Sequence, residues 1–243
     1  MKWYGLLGKT LKHSFSKAYF TSKFHTLGIT DCYYENFELA TINGLPQLLR
    51  DNPSIHGLNV TIPYKEEVLF FLDEQNDIVK EIKACNCIKI LDGKLSGYNT
   101  DIIGFKKSLE KDLKPHHTKA LILGTGGAAK AVKYALKTLG IHFSNVSRNR
   151  SETSITYEEL DETILNTHHL IINTTPLGMF PKINEAPPIP YHLVNAKHLF
   201  FDLIYNPEET IFLKKAKEHG AKIINGSQML ILQAEESWRI WNS

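Results

Sequence analysis

The chain is 243 residues long and 42% apolar, enough to bury a full core as one large domain or two modest ones. A formal net charge of +2 with no long Lys/Arg run argues against a nucleic-acid track, and no uncharged apolar stretch reaches the ~18 residues of a membrane span. The N-terminus carries no apolar run of signal-peptide length, and Cys32, Cys85 and Cys87 are too few for a disulfide framework, so a reducing cytoplasm is the expected location.

Apolar runs alternate with helical patterns, which predicts an α/β fold. Residues 3–8 read as a strand, 17–27 as a helix, 33–38 as a strand and 42–52 as a helix that stops before Pro53. A short strand at 57–62 is followed by Pro63; proline suits the first helical position, so a helix is expected there with Lys65 in its first turn. Residues 85–90 and 94–98 bracket Asp92-Gly93, a two-residue hairpin signal, and this antiparallel pair makes the first sheet mixed. On an extended 85–90 segment Cys85 and Cys87 would share one face and pack into a core. A helix at 102–113 and a linker at 114–117 lead into strand 119–123, helix 126–139, strand 142–147, helix 157–165 and strand 170–173. Strand 199–203, helix 208–219 and strand 221–224 complete a βαβ series of the dinucleotide-binding kind. A last helix at 227–241 carries Ile231, Ala234, Trp238 and Trp241 as an apolar stripe, which reads as core. The doublets His116-His117 and His168-His169 lack i, i+4 spacing and read as surface residues.

Within the βαβ series, Leu121-Ile-Leu-Gly124-Thr-Gly126-Gly127-Ala128-Ala129 is a strand running into a Gly-rich turn and then a helix. Such a turn lets backbone N–H groups approach a pyrophosphate, and the helix N-terminus adds a favourable dipole. Glycines alone would equally make a tight connection; their place between strand and helix is what points to a dinucleotide. An NAD site puts an acid at the end of the second strand, about 20 residues on. Here that place holds Val146-Ser147-Arg148-Asn149-Arg150, with no acid before Glu152. A carboxylate would repel the 2′-phosphate of NADP, whereas guanidinium groups hydrogen-bond to it, so Ser147, Arg148 and Arg150 read as an NADP site. A solvated loop that happens to hold two arginines is the plain alternative.

Four other segments carry polar residues that neither core nor turn requires. Ser14 and Ser16 would face the same way in an extended segment, suited to a carboxylate or hydroxyls, although an ordinary helix N-cap explains the pair too. Asn59 and Thr61 share a strand face, and Lys65 follows where a helix dipole disfavours a cation, with Glu66 and Glu67 able to compensate. Asn86 sits between two cysteines, and Asn99-Thr100-Asp101 precedes a helix, where Asp is also a favoured N-cap.

Taken together these segments resemble one family, shikimate dehydrogenase, over nearly the whole chain. Ser14 and Ser16 look like its substrate-carboxylate motif. Asn59-Val-Thr61-Ile-Pro63-Tyr-Lys65 resembles its most distinctive segment, which supplies the catalytic lysine, and Asn86 and Asp101 fall at its substrate asparagine and catalytic aspartate. The Gly124, Gly126, Gly127, Ala128 turn is similar to its NADP turn. Asn173-Thr174-Thr-Pro-Leu-Gly178-Met179 resembles the loop beside the nicotinamide, and Asp202-Leu-Ile-Tyr205-Asn-Pro207 a later segment near the substrate. Gly226 and Met229 match its nicotinamide side and Gln233 a substrate glutamine; Met229 and Gln233 lie i, i+4 on one helix face. The chain departs from the pattern at the rims of these motifs: Lys17 for a proline, Cys87 for a threonine, Ile102 for a glycine, and Asn225 with Gln228 for an aspartate and a glycine.

The resemblance implies reversible NADPH-dependent reduction of 3-dehydroshikimate to shikimate, a step of aromatic amino-acid biosynthesis. It implies Lys65 and Asp101 as catalytic residues, Asn59, Thr61, Asn86, Tyr205 and Gln233 around the substrate ring, and Ser14 and Ser16 at its carboxylate. The implied architecture is two α/β domains: an N-terminal mixed-sheet substrate domain, residues 1–101, and a Rossmann-type NADP-binding domain, residues 102–225, with the C-terminal helix, 226–243, packing back on the first. The expected partner is that small molecule alone, with no metal, nucleic acid or membrane, in a monomer or homodimer. Two alternatives stay open: a quinate/shikimate dehydrogenase with broader substrate or NAD use, and a non-catalytic NADP-binding relative, which the presence of both Lys65 and Asp101 disfavours.

Overall fold

The computed structural model describes residues 1–11 and 14–243. These divide into two compact units, one of Met1–Thr100 with Gln233–Ser243 and the other of Asp101–Leu232. Among the described residues the strands form two six-stranded sheets, one in each unit.

The first unit runs β1 (Lys2–Gly8), α1 (Phe15–Thr26), β2 (Cys32–Glu38), α2 (Leu45–Asp51), β3 (Ile55–Val60), β4 (Glu74–Gln75), α3 (Asp77–Ile82), β5 (Cys87–Leu91) and β6 (Lys94–Tyr98). β1 pairs in parallel with β2 and β3, while β5 lies antiparallel to β3 and β6, giving the order β2-β1-β3-β5-β6-β4. The β5–β6 turn is the expected hairpin: Asp92 and Gly93 both take positive φ, 51° and 77°, as a two-residue turn matched to strand twist requires. Alternation along β1 sends Leu7 into one core with Leu58, Val60 and Ile88, and Tyr4 into another with Phe20, Phe24 and Tyr34. That second core is closed by Ala234, Ile240 and Trp241 from the chain's last helix. Trp241 stacks on Tyr4 at 4.8 Å, its indole N–H donates to the Ile88 carbonyl at 2.9 Å, and Gly57 leaves the room that the ring fills.

Two expectations need correcting here. Residues 63–66 are a turn, followed by a 3₁₀ segment at Glu67–Phe71, rather than an α-helix opened by Pro63. The Leu69 N–H that an α-helix would return to Lys65 goes to the Glu66 carbonyl, and the Lys65 carbonyl accepts Cys85 N–H at 2.8 Å instead. Lys65 therefore does not oppose a helix dipole, and that argument for its being functional falls away. Cys85 precedes β5 rather than lying on it, and it packs with Leu7 and Leu58 whereas Cys87 packs with Tyr4 and Trp241; the two share no face.

The second unit runs α4 (Asp101–Glu110), β7 (Lys119–Leu123), α5 (Gly127–Thr138), β8 (His142–Ser147), β9 (Ser154–Thr156), α6 (Glu162–Leu165), β10 (Leu170–Asn173), β11 (Leu199–Asp202), α7 (Ile211–Glu218), β12 (Lys222–Ile224) and the first part of α8 (Ser227–Trp241). All its strand pairings are parallel, in the order β12-β11-β10-β7-β8-β9. β10 and β11 are buried along their whole length, the signature of a sheet covered on both faces. The expected helix at 157–165 is broken into a 3₁₀ turn at Tyr157–Glu159 and the short α6, because Asp161 caps a new start by accepting from Ile164 N–H. From β7 the chain goes to β8 on one side and later to β10 on the other, so the strand order reverses between β7 and β10. In open α/β sheets ligands bind outside the carboxyl ends of strands at such a switch point.

The histidine doublets are not simply surface residues. His117 and His198 are buried, and His116, His117, His169 and His198 form a chain of edge-to-face rings with centroids 4.4–5.5 Å apart. His117 Nδ1 accepts Lys114 N–H at 3.0 Å, and His198 Nδ1 accepts Asn195 N–H at 3.1 Å, so a backbone donor already occupies the nitrogen a proton would need. Burial pushes His117, His168 and His198 below the ordinary imidazole value of 6.5. Below that pH the unfolded chain binds protons that the folded chain refuses, so stability falls as pH drops. Tm should thus decrease by several degrees from pH 7.5 to pH 5.5 in calorimetry, and His117→Gln should flatten the dependence. An unchanged slope in that variant would show that His117 does not contribute.

Candidate functional site

In the first unit the sequence-predicted polar residues converge on one buried network. Tyr34 donates its hydroxyl to Asn59 Oδ1 at 2.9 Å, and Asn59 Nδ2 donates to Ser237 Oγ at 2.8 Å. Ser237 Oγ lies 3.3 Å from Thr100 Oγ1, which accepts Asn86 Nδ2 at 3.1 Å; Asn86 Oδ1 in turn accepts Thr100 N–H at 2.6 Å. Asn86 Nδ2 also reaches Gln233 Oε1 at 3.5 Å, which leaves Gln233 Nε2 with no protein acceptor among the described residues. At the other end is Tyr34, whose hydroxyl is held well above its ordinary value, chiefly by burial. A run of amides and hydroxyls thus extends from Tyr34 to Gln233, built from β2, β3, the approach to β5, the residues after β6 and α8.

Around it the remaining first-unit residues take their places. Ser14 is the N-cap of α1, its Oγ accepting Lys17 N–H at 3.4 Å, so the capping explanation holds for that serine. The departure at Lys17 is explained by an ion pair with Glu35. Thr61 follows β3, its N–H bonded to the Leu7 carbonyl at 2.9 Å. Lys65 is half-buried and its backbone is pinned on both sides: the buried Tyr64 donates its hydroxyl to Leu39 O at 2.5 Å, and Cys85 N–H holds the Lys65 carbonyl. Asp101, the first residue of the second unit, is buried and opens α4 as its first residue rather than capping it from outside.

The second unit holds the cofactor candidates. Gly124 has φ +109°, a value that side chains rarely adopt, and a Cβ there would stand 2.8 Å from Thr174 Oγ1. Thr174 hydrogen-bonds through both N–H and Oγ1 to the Leu123 carbonyl, at 3.0 and 2.7 Å, so the turns after β7 and β10 meet at the switch point. Gly126 is the N-cap of the 12-residue α5, without a side-chain cap, and a Cβ on it would meet nothing within 4 Å. A helix start with no side-chain cap and open space at its N-cap glycine is what a pyrophosphate requires, so the residues present fit a dinucleotide. Gly124 N–H bonds to the Val146 carbonyl at 2.8 Å, which sets the end of β8 beside this turn. Of the three 2′-phosphate candidates there, Ser147 directs its hydroxyl to the Asn149 carbonyl and Arg150 pairs with Glu159, while Arg148 is exposed and makes no ion pair among the described residues.

Behind these turns Asp202 is fully buried and accepts from Asn173 Nδ2 (3.0 Å), Ile204 N–H (3.0 Å) and Thr210 Oγ1 (2.6 Å). Burial pushes its carboxyl up to about 6 in spite of those donors. It ties the segments leading to Thr174 and to Tyr205, the latter half-buried with its phenol raised by burial. Gly226 has a packing role of its own, since a Cβ would collide with the Leu203 carbonyl, and Met229 is buried. Among the described residues no three His, Cys, Asp or Glu side chains are grouped to hold a metal ion, and no helix is long and apolar enough to cross a membrane.

Sequence reasoning missed Tyr34, Thr100 and Ser237 as members of the network. The signal was available for Ser237, which lies four residues after Gln233 and hence on the same helix face.

Comparison with known proteins follows the same lines. The family model of the shikimate dehydrogenase substrate-binding domain matches residues 6–88. A protein of Caldicellulosiruptor bescii named shikimate dehydrogenase (NADP(+)) is 40% identical, over 99% of this chain and 89% of its own. The structure of Thermus thermophilus shikimate 5-dehydrogenase in complex with NADP(H) and shikimate superposes with a TM-score of 0.88 at 29% identity, covering 99% of this chain and 93% of that one. Quinate dehydrogenase from Corynebacterium glutamicum in complex with NAD gives 0.87 at 26% identity, with 99% and 93% covered.

Proposed function

The chain belongs to the shikimate dehydrogenase family, and we propose that it catalyses the reversible NADPH-dependent reduction of 3-dehydroshikimate to shikimate. It is an NADP-dependent oxidoreductase acting on a CH–OH group. The observation that supports this best is the fixed run of amides and hydroxyls from Tyr34 through Asn59 and Asn86 to Gln233. Such a run suits a polyhydroxylated ring, because an analogue lacking one hydroxyl leaves site groups unpaired.

The first unit binds the substrate and the second the cofactor. Ser14 and Ser16 take the carboxylate, and Asn59, Thr61, Asn86 and Gln233, with Tyr205, take the ring. Gly124, Gly126, Gly127 and Ala128 cradle the pyrophosphate, Ser147, Arg148 and Arg150 the 2′-phosphate, and Thr174, Gly226 and Met229 the nicotinamide side. Bound NADPH supplies the hydride that reaches the carbonyl carbon. Negative charge then builds on the carbonyl oxygen; the Lys65 ammonium stabilises it and gives it a proton as the alcohol forms. Asp101 is the second catalytic residue of the proposed step.

A spectrophotometric assay of shikimate against quinate, each with NADP⁺ and NAD⁺, tests this. Reduction of NADP⁺ by shikimate should be the fastest of the four combinations. Faster turnover with quinate and NAD⁺ would give the chain to the quinate branch, and no turnover in any arm would make it a non-catalytic relative.

A further inference from the structure

Ser237 lies on α8, four residues after Gln233, with none of its surface exposed. Its hydroxyl has one proton, and the helix uses it: Oγ donates to the Gln233 carbonyl at 2.9 Å. That back-bond to the i−4 carbonyl is the ordinary behaviour of serine inside a helix. Toward everything else Ser237 Oγ is then an acceptor. Asn59 Nδ2 donates to it at 2.8 Å, and the Thr100 hydroxyl, 3.3 Å away, divides its one proton between Ser237 Oγ and Asn86 Oδ1.

The consequence falls on Asn59, a half-buried residue of β3. An amide can be turned end for end at little cost unless its surroundings distinguish oxygen from nitrogen. Here they do so twice. Ser237 and the Asn86 carbonyl can each receive only N–H, and the Tyr34 hydroxyl, which could serve either end, then donates to Asn59 Oδ1 at 2.9 Å. The second Nδ2 proton is directed to the Asn86 carbonyl at 3.4 Å. Both amide protons are thereby used within the protein, while Oδ1 keeps one lone pair.

From this arrangement we infer that Ser237 is a positioning residue: it fixes the Asn59 amide so that Asn59 offers substrate an acceptor and selects a ligand hydroxyl at that place. The inference rests on the proposed reading of Asn59 as a substrate contact. Without the Ser237 acceptor only the long 3.4 Å contact to the Asn86 carbonyl opposes rotation of the amide, and the site presents a mixture of donor and acceptor.

The test is a double-variant cycle on the full chain, measuring KM for shikimate, KM for NADP⁺, kcat and Tm. Ser237→Ala should raise the shikimate KM roughly fivefold to tenfold, with kcat and the NADP⁺ KM within about twofold of wild type. Asn59→Ala should raise the shikimate KM at least as much, and adding Ser237→Ala to it should change little further, because the two act as a unit. Ser237→Cys, which keeps the volume and a weak acceptor, should fall between wild type and Ser237→Ala, and it carries the cycle if the alanine variant does not fold. An Asn59→Ala enzyme with unchanged shikimate KM would sink the substrate-site reading itself. If Asn59→Ala raises KM but Ser237→Ala lowers only Tm, or if the two effects multiply, Ser237 is merely structural and the inference is overturned.

Discussion

Lys65→Ala should lower kcat by a factor of about 10²–10⁴ while changing KM for shikimate far less, the pattern of an interaction made mainly in the transition state. Residues 63–66 form a turn, so Lys65 is not a misplaced cation at a helix start. What suits it to its role is how firmly that turn is held. The Tyr64 hydroxyl bonds to Leu39 O, and the Lys65 carbonyl receives Cys85 N–H, so the backbone on which the ammonium stands is fixed from two directions. Neither bond involves the lysine side chain, so truncating it should leave the fold intact. Asp101→Asn should impair the same step, and the double variant should be little worse than the poorer single one. A purely structural Asp101 makes a different forecast. As the first residue of α4 its carboxylate favours the helix dipole, and losing that alone would cost about 0.3–1 kcal/mol of stability with kcat preserved. Steady-state kinetics alongside calorimetry separates the two. A stably folded Lys65→Ala enzyme with near wild-type kcat would remove the proposed mechanism.

What could be read from the sequence, and what could not, divides along the range of the interactions involved. The parallel second sheet was legible because β7, β10 and β11 are short apolar runs separated by helical patterns, and the β5–β6 hairpin because Asp92-Gly93 demands a particular turn. The turn at Lys65 was not legible: Pro63 is a sound local helix signal, and what overrides it is Cys85 N–H, 20 positions away, taking the carbonyl that a helix would have used. Burial of His117 and His198 was hidden for a similar reason. Their partners are backbone groups and other histidines brought together by the sheet, so spacing along the chain carries no trace of them. The candidate site shows the same division. Its members on motifs were visible, and Ser237 could have been found from its spacing to Gln233, but Tyr34 joins only through a contact across 25 positions.

The cofactor preference gives the second large effect, and the structure sharpens it onto one residue. Ser147, Arg148 and Arg150 all stand where an NAD enzyme places an acid, yet they are not equivalent. Ser147 spends its hydroxyl on the Asn149 carbonyl and sits 3.0 Å from Ser154 Oγ, while Arg150 is paired with Glu159. Arg148 alone of the three is exposed and without an ion pair among the described residues, one step past a strand end tied to Gly124. A guanidinium with all its donors available can form two parallel bonds to a phosphate, which a serine or an already paired arginine cannot match. Removing one such charged contact costs on the order of 1.5–3 kcal/mol, roughly a tenfold to hundredfold weakening. Arg148→Ala should therefore raise KM for NADP⁺ by that factor and leave KM for NAD⁺ nearly unchanged, since NAD⁺ has no 2′-phosphate to lose. Arg150→Ala should do much less to either. The effect on NADP⁺ should shrink at high salt, because an exposed charge pair is screened. Equal losses for both cofactors would show that Arg148 does not read the 2′-phosphate, and a larger loss in Arg150→Ala would move the recognition to the residue that the Glu159 pair had excluded.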